Sequence, residues 1–209
     1  PTLDYVVTKM PRFPFDKFSS ANNKLSTQMK ATGEVMSIGR TIEESLLKAA
    51  RSLEIGVNHL YMKKFDGYSE EDMLSYIADG TDDRIYAISE LLRRNTDLGL
   101  IYDATKIDML FLEKVKNIVA MERLVKENKG DTETLYAAKK MGFSDEFIGK
   151  LWDKKGEEIY KIRCEKNIFP VYKMIDTCAS EFESYIPYFY STYEEENESV
   201  VSDKKKIIV

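Results

Sequence analysis

The chain has 209 residues, of which 43% are hydrophobic, which is enough for the core of one large domain or two modest ones. Its 31 basic and 36 acidic residues give a formal net charge of −5, which argues against nucleic-acid and anionic-membrane partners. No apolar run approaches the roughly 20 residues of a membrane span and no signal peptide is visible, so we expect the cytoplasm, with an organelle matrix as the alternative.

The first predicted elements are two strands and a helix, which together form a strand-turn-helix unit. Residues 3–10 (LDYVVTKM) combine β-branched and aromatic side chains, and residues 33–39 (GEVMSIG) are a short run between glycines. Both patterns favour strands. The helix is expected to have Thr41 as its N-cap, Glu44 as its capping-box partner and Gly56 as its stop. Its predicted apolar face consists of Ile42, Leu46, Ala49, Ala50 and Leu53.

From about His59 onward the pattern predicts helices alone. Ser69 is expected to cap SEEDMLSYIAD, and Thr81 or Asp82 is expected to cap DDRIYAISELLRRN. Residues 97–105 favour a short helix or turn. Three further helices are expected near 132–141, 145–154 and 157–166, with Ser144 as the cap of the middle one and with Gly142 and Gly156 as helix-ending glycines.

The longest uninterrupted apolar pattern covers residues 107–128 and predicts the helix that organises this part of the chain. Its predicted inward side chains are Phe111, Leu112, Val115, Ile118, Val119 and Val125.

Residues 169–196 form an aromatic connector, because they hold five of the thirteen tyrosines without the period of a helix or a strand. One interpretation is a long loop packed on the chain's own helices, since large rings prefer burial. The other is a strap that joins two larger bodies and is partly covered by protein outside the chain, since long structureless loops are uncommon within one domain. Its rings include Tyr172, Phe182, Tyr185, Tyr188, Phe189, Tyr190 and Tyr193. Residues 206–209 predict a further short strand.

Candidate catalytic groups are few, and the sequence contains no glycine-rich phosphate-binding motif. Glu43 and Glu44 form a carboxylate pair, but acidic residues in the first turn of a capped helix usually stabilise its dipole. Cys178 has no histidine near it in the sequence, and the single histidine, His59, falls in a predicted polar turn, which disfavours a Cys/His pair. Cys164 and Cys178 are expected to be free, buried thiols, since these residues cannot complete a zinc site without carboxylates.

Two weaker signals for anion or nucleic-acid binding also have structural explanations. Arg40 follows the second strand and is expected to be solvated or in a salt bridge. Residues 143–166 have the spacing of a helix-turn-helix, but Glu157 and Glu158 disrupt a basic face. Residues 204–206 are too short a lysine run for a nucleic-acid tail. We therefore assign no catalytic, cofactor-binding or metal-binding residue.

Three ungapped blocks carry a family resemblance in a common order and spacing. They are DYVVTKMPRFPFDKF (residues 4–18), TQMKATGEVMSIGRTIEESLLKA (27–49) and VYKMIDTCASEFESYIPYFYSTYEEENE (171–198). The chain resembles the large subunit of carbamoyl-phosphate synthetase, in which two ATP-grasp synthetase halves are separated by a helical oligomerization domain. The resemblance implies a mostly α fold, in which that domain follows a small α+β piece of an ATP-grasp domain.

The resemblance also implies how the chain is divided. Residues 1–58 would be the C-terminal tail of the first, carboxyphosphate-forming half, and residues 59–202 the oligomerization domain with the aromatic connector. Residues 203–209 would be the first strand of the second half. The nucleotide and metal ligands of the family lie upstream of Pro1 in this comparison, so none of its catalytic residues can be placed on this sequence.

The parent enzyme implied by the resemblance is a ligase of arginine and pyrimidine biosynthesis. It makes carbamoyl phosphate from bicarbonate, two ATP and ammonia, which a glutaminase small subunit releases from glutamine. Its implied cofactors are ATP, Mg or Mn, and K, with none expected in this fragment. The expected partners are the remaining domains of the large subunit, the small subunit and, through self-association, a second copy of the chain.

Two alternatives to a non-catalytic linker stay open from the sequence. One is a self-contained nucleotide-binding enzyme fragment that uses the strand-turn-helix unit at residues 33–53. The other is a helical nucleic-acid-binding module, against which the net charge of −5 argues.

Overall fold

The computed structural model describes residues 3–15, 17, 20, 22–179, 181–182, 188–200 and 202–205. Within these residues the chain folds into eight α-helices, one 3-10 turn and two antiparallel sheets of two strands each. The predicted fold class, mostly α with a small α+β part, is confirmed. None of the described helices combines the length and apolar character that crossing a membrane requires. The predicted strand at residues 206–209 lies outside the described residues.

The helical body is arranged around one long helix. The helices are α1 (Ile42–Ser52), α2 (Glu70–Ala78), α3 (Arg84–Arg93), α4 (Leu98–Thr105), α5 (Met109–Glu127), α6 (Thr132–Lys140), α7 (Asp145–Trp152) and α8 (Gly156–Glu165). As predicted, α5 organises this part of the chain, because it contacts α1, α3, α4, α6 and α7. Its buried side chains are Leu112, Val115, Ile118, Val119 and Val125. The prediction for Phe111 is wrong, because this residue lies in the first turn of α5 and is 52% exposed.

Two paired strands precede the helical body. β1 (Val6–Arg12) and β2 (Gly33–Gly39) run antiparallel, with Val6 opposite Gly39. β2 has the predicted bounds, whereas β1 lies a few residues further along the chain than expected, because it pairs along the whole length of β2. β1 is an edge strand, because β2 is the only described strand that pairs with it. Pro11, which has no backbone N–H, is tolerated there because the other edge of β1 pairs with no described strand.

α1 packs on both strands of this first sheet. Its N-terminus is capped as predicted, since the Thr41 hydroxyl accepts a hydrogen bond from the Glu44 amide (3.2 Å). The Glu44 carboxylate accepts from the Arg40 amide (2.7 Å), one residue before the predicted capping-box donor. The apolar face needs a correction, because Leu47 is completely buried and Leu46 only half-buried. The strands and α5 cover α1 from two sides, which shifts the buried face.

Most helix starts follow the predicted caps. Ser69 and Ser144 each accept a hydrogen bond from the amide three residues further on. The start of α3 differs, because its N-cap is Asp83 and not Thr81 or Asp82. The Thr81 hydroxyl instead donates to the Asp83 carboxylate (3.1 Å), which fixes the turn before the helix.

Left-handed backbone ends several helices, and glycine supplies it at one predicted place. Gly142, the second residue after α6, has φ +95°. The prediction that Gly156 ends a helix is wrong, because α7 ends on Asp153 with φ 57° and Gly156 begins α8. α1 likewise turns at Glu54 (φ 54°), two residues before the predicted stop at Gly56. Aspartate is one of the few non-glycine residues that adopt this conformation routinely.

The aromatic connector contains a second sheet. β3 (Val171–Ile175) and β4 (Tyr188–Thr192) pair antiparallel, with Lys173 opposite Tyr190. The prediction that residues 169–196 lack a strand is therefore wrong.

The alternation of this second sheet is hidden in the sequence because Tyr188, Phe189 and Tyr190 are successive aromatic residues of β4, and successive side chains of a strand point to opposite faces. Tyr190 and Thr192 are buried, at 7% and 1% exposed, whereas Tyr188 is 55% exposed on the same strand. Phe182, between the strands, is 75% exposed. Tyr185 lies outside the described residues.

Candidate functional site

The second sheet contacts the first sheet and α1 through one buried ring. The Tyr190 ring centroid lies 6.1 Å from that of Tyr5, just before β1. The Lys48 ammonium of α1 lies 5.7 Å from the centroid of the Tyr190 ring, within the range of cation–π attraction. We call Tyr5, Lys48 and Tyr190 the aromatic junction. It joins parts of the chain on either side of the helical body.

Lys48 is the polar centre of the aromatic junction. Its ammonium donates to the Ile38 carbonyl of β2 (2.9 Å) and to the Ser191 carbonyl of β4 (2.5 Å), and it pairs with the Glu44 carboxylate (2.7 Å). An ammonium has three N–H donors, so these three oxygens use all of them. One side chain of α1 therefore binds both sheets at once.

One polar contact beside the aromatic junction links the same two regions, and a second anchors the chain before β1. The Tyr5 hydroxyl donates to the Asp176 carbonyl (3.1 Å), directly after β3. The Arg40 guanidinium donates to the Asp4 carbonyl (2.7 Å) and carboxylate (2.5 Å). Arg40 is thus in a salt bridge, one of the two states expected for it, and it anchors the chain before β1 to the turn before α1.

A second contact attaches the residues after β4 to the helical body. The Tyr193 ring centroid lies 5.3 Å from the Lys139 ammonium and 5.7 Å from the Arg163 guanidinium. Burial raises the pKa of Tyr193 to about 12. The next residue, Glu194, pairs with Lys140 at 3.1 Å. The chain after β4 is therefore held by cations from α6 and α8.

The cations beneath Tyr193 belong to a buried network centred on Asp145. Arg163 donates to this carboxylate through Nε (2.9 Å) and Nη2 (2.7 Å), and the Lys139 ammonium lies 2.9 Å from its Oδ1. Burial lowers the pKa of Lys139 to about 8, although Asp145 acts in the opposite direction. The network joins α6, α7 and α8, and removing Asp145 would leave two buried cations unpaired.

The carboxylate pair considered from the sequence is held by neighbouring side chains. Glu43 is 5% exposed, accepts a hydrogen bond from the Asn117 side chain (2.9 Å) and lies 3.3 Å from the Lys114 ammonium. Glu44 is 1% exposed and is bound by Lys48 and the Arg40 amide. The two carboxylates therefore connect α1 to α5 and to the aromatic junction.

His59 is buried, so its interpretation as part of a polar turn is wrong. The residue is 2% exposed, and its ring stacks on the Phe147 ring with the centroids 3.8 Å apart. Its Nε2 lies 3.4 Å from the Glu122 carboxylate. Cys164 and Cys178 are free, as expected, but each is half-buried. The contacts of His59 are with rings and a carboxylate, which is a packing environment and not that of a paired thiol.

Glu122 was not singled out by the sequence. Arg93 donates to its carboxylate through Nε (3.0 Å) and Nη2 (3.0 Å), and also to the Leu60 carbonyl (2.8 Å). Burial alone would raise the pKa of Glu122, but the neighbouring His59 ring and the Arg93 guanidinium outweigh it and lower the pKa to about 2. The charged carboxylate therefore holds the loop around His59 against α3 and α5.

Residues 34–167 match the family described as the carbamoyl-phosphate synthetase large chain, oligomerisation domain. The chain belongs to this carbamoyl-phosphate synthetase family. The resemblance carried by the three sequence blocks is thereby confirmed. The matched residues of this oligomerisation domain include all of β2 except Gly33 and all eight described helices. The aromatic junction connects them to β4, which lies after the match.

The helix pair α7–α8 of this oligomerisation domain is closely packed. Arg163 is 6% exposed and bound to Asp145, so its charge does not face solvent. A Cβ at Gly149 would lie 2.7 Å from the Lys154 carbonyl, which shows how near the turn before α8 approaches α7. In the described part of the domain, no group of three or more His, Cys, Asp or Glu side chains is arranged to hold a metal ion.

Tyr190 was among the rings named from the sequence, but its partners Tyr5 and Lys48 and the residues of the Asp145 network were missed. One local signal existed, because Lys48 follows Glu44 by four residues, a spacing that favours an ion pair on a helix. The contact between Tyr5 and Tyr190 joins residues far apart in the sequence and has no local signature. Charged side chains of the oligomerisation domain thus bind partners on other helices and strands. Such contacts hold distant segments of the chain together.

Proposed function

We propose that this chain is the non-catalytic oligomerisation and linker region of a carbamoyl-phosphate synthetase large chain. The observation that carries the proposal is the bonding of Lys48 to both sheets. β1 lies before the matched residues 34–167 and β4 lies after them, so the aromatic junction fastens the segment before the helical body to the segment after it. Larger bodies attached at these two places would be held at a fixed relative position.

The parent reaction and the domain bounds belong to the same proposal. The parent is a ligase that makes carbamoyl phosphate from bicarbonate, ammonia or glutamine and two ATP, with ATP, Mg or Mn, and K bound outside this chain. We assign residues 1–58 to the tail of the first synthetase half, 59–202 to the oligomerisation domain and 203–209 to the start of the second half. α1 packs on the first sheet and ends at Ser52, and among the described residues no strand follows it until β3, which supports a boundary near residue 58.

The proposed partners are the other domains of the large chain, the glutaminase small subunit and a second copy of this chain. Light scattering of the purified chain over a wide concentration range tests the last of these. Reversible growth in mass with concentration is expected, and a monomer at every concentration would count against a dominant role in self-association.

Titration calorimetry with Mg-ATP separates this proposal from a self-contained nucleotide-binding enzyme. The purified 209-residue chain is expected to give no binding heat, whereas the intact large chain, measured in parallel, is expected to bind. Binding of Mg-ATP by the isolated chain at micromolar affinity would contradict the proposal.

Substitution at the aromatic junction of the intact large chain tests the linker role itself. Tyr190→Ala removes a ring that is 7% exposed and is expected to lower the stability by about 2–4 kcal/mol and to reduce carbamoyl phosphate synthesis. Tyr188→Ala is the matched control, because Tyr188 is 55% exposed on the same strand. If Tyr190→Ala left thermal unfolding and turnover unchanged, the aromatic junction would not be holding the enzyme together.

A further inference from the structure

An open cleft of about 570 Å³ lies between the loop after α1 and helix α7. This volume is typical of sites that bind small molecules. Its apolar walls are formed by Ile55, Val57, Met62, Phe147 and Leu151. The cleft is not part of the aromatic junction, and the proposed linker function does not use it.

The charged side chains of this cleft are mainly cations. Lys63, Lys64 and Lys150 line it, against one carboxylate, Glu122, among the described lining residues. Glu122 is already neutralised by Arg93, which binds it through two nitrogens at 3.0 Å. The cleft is therefore locally positive on a chain whose formal net charge is −5.

Two of the three lysines form no ion pair or side-chain hydrogen bond with the described residues. Lys64 forms an ion pair with Asp83. Lys63 and Lys150 are exposed, and among the described residues neither forms an ion pair or a side-chain hydrogen bond. They can meet an anion in the cleft without first breaking another contact.

The floor of the cleft carries a buried polar group that the fold leaves unpaired. His59 lines the cleft and is 2% exposed, and its Nδ1 has no hydrogen-bond partner among the described residues. Buried polar atoms are almost always paired in native proteins, so an unpaired one often marks a place that water or a ligand completes.

We propose that this cleft binds a small organic anion with a flat apolar body, such as an aromatic carboxylate or an aryl phosphate. The apolar body lies against Val57, Met62 and Leu151. The anionic group lies at the rim, between Lys63 and Lys150. The inference is independent of the linker role, because none of these residues belongs to the aromatic junction.

The chain has one histidine, which makes the test direct. The proton resonances of the His59 ring in the purified chain are followed while 2-naphthoate is added as the probe. A saturable shift at millimolar or lower probe concentration is expected. Two control probes separate the parts of the recognition: 2-naphthylmethylammonium has the same body with the opposite charge, and acetate has the carboxylate without the body. Both are expected to leave the resonances unshifted.

Variants locate the bound anion. The double substitution Lys63→Ala and Lys150→Ala is expected to weaken binding of 2-naphthoate by about fivefold to tenfold, since each exposed ion pair contributes modestly. Lys126→Ala with Lys161→Ala is the matched control, because it removes two exposed lysines that do not line the cleft. Val57→Trp fills the cleft and is expected to abolish the shift while the lysines remain.

Any one of three outcomes would overturn the proposal. These are the absence of a saturable shift with 2-naphthoate, an equal shift with the cationic probe, and unchanged affinity after removal of Lys63 and Lys150. The double lysine variant changes only exposed side chains, so it keeps the test valid even if Val57→Trp fails to fold.

Discussion

The Lys139 ammonium lies 5.3 Å from the centroid of the Tyr193 ring, so a cation buried in α6 contacts the residue directly after β4. The same ammonium is 2.9 Å from Asp145, which Arg163 also binds. The helical body therefore holds the chain after β4 through the ammonium of Lys139, whose pKa burial lowers to about 8.

We predict that the contribution of Lys139 to stability increases with pH. Its pKa is about 8 in the folded chain and near 10.5 when unfolded, so between these values the unfolded chain binds more protons and folding gains stability as pH rises. Lys139→Met should remove this gain, which is on the order of 2 kcal/mol. Urea midpoints at pH 7.5 and 9.5 measure it, below the range in which Tyr193 titrates.

Lys126→Met is the control for this series, because Lys126 is exposed on α5. At pH 7.5 we expect Lys139→Met to be at least as stable as the unaltered chain, because Arg163 still pairs with Asp145. An identical pH dependence in Lys139→Met and the unaltered chain would show that Lys139 is not the titrating group.

The Glu122 carboxylate should stabilise the fold at neutral pH and lose its effect in acid. Its pKa is about 2 in the folded chain against 4.5 in the unfolded chain, so the stability is complete above pH 4.5 and disappears as the pH falls toward 2. Glu122→Gln is expected to cost about 3 kcal/mol at pH 7 and little at pH 2. Glu127→Gln, at an exposed site of the same helix, is the control for chemical denaturation across this range. A constant cost at every pH would contradict the assignment.

Two glycines with similar backbones should respond differently to alanine. Gly142 and Gly130 have φ +95° and +85°, so alanine is strained at both by about 1–2 kcal/mol. A Cβ at Gly142 would also lie 3.0 Å from the Glu44 Cα of α1, whereas at Gly130 it would meet open space. Thermal unfolding should therefore show that Gly142→Ala lowers the free energy of unfolding by about 1 kcal/mol more than Gly130→Ala does. Equal losses of stability in the two variants would mean that α1 moves to accommodate the added carbon at no cost in free energy.

Adjacent residues at the start of α5 should differ sharply in their contribution to stability. Leu112 is 1% exposed, so Leu112→Ala is expected to cost about 2–5 kcal/mol. Phe111 is 52% exposed, so Phe111→Ser should change the free energy of unfolding by less than about 1 kcal/mol in urea denaturation. A large loss in Phe111→Ser would indicate that a partner, such as a second copy of the chain, covers this ring.

The helices could be predicted from the sequence because the residues that begin and end them act locally. Ser69, Ser144 and Gly142 were predicted from one or two turns of sequence, and the structure has them in those roles. Phe111 shows the limit of the same reasoning, because periodicity gives the side of a helix but not whether a neighbour covers its first turn.

The candidate site was much less predictable, because distant residues build it. Tyr190 and Tyr188 look equivalent in the sequence, yet one is buried against Tyr5 and Lys48 and the other is largely exposed. No local pattern in the sequence marks Lys139 and Arg163 as buried, because it is tertiary packing that places them around Asp145.

The hydrogen bond from Tyr5 to Asp176 spans 171 positions of the chain, and that from Lys48 to Ser191 spans 143. Every described helix after α1 lies between their partners, so a ribosome finishes those helices before the aromatic junction can close. Contacts between remote positions are slow to form, and we expect the junction to be the last step of folding. A newly made chain would then pass through a state in which its helices are formed but β4 is not yet packed against Tyr5 and Lys48. A chaperone or a neighbouring domain could bind the chain in this state.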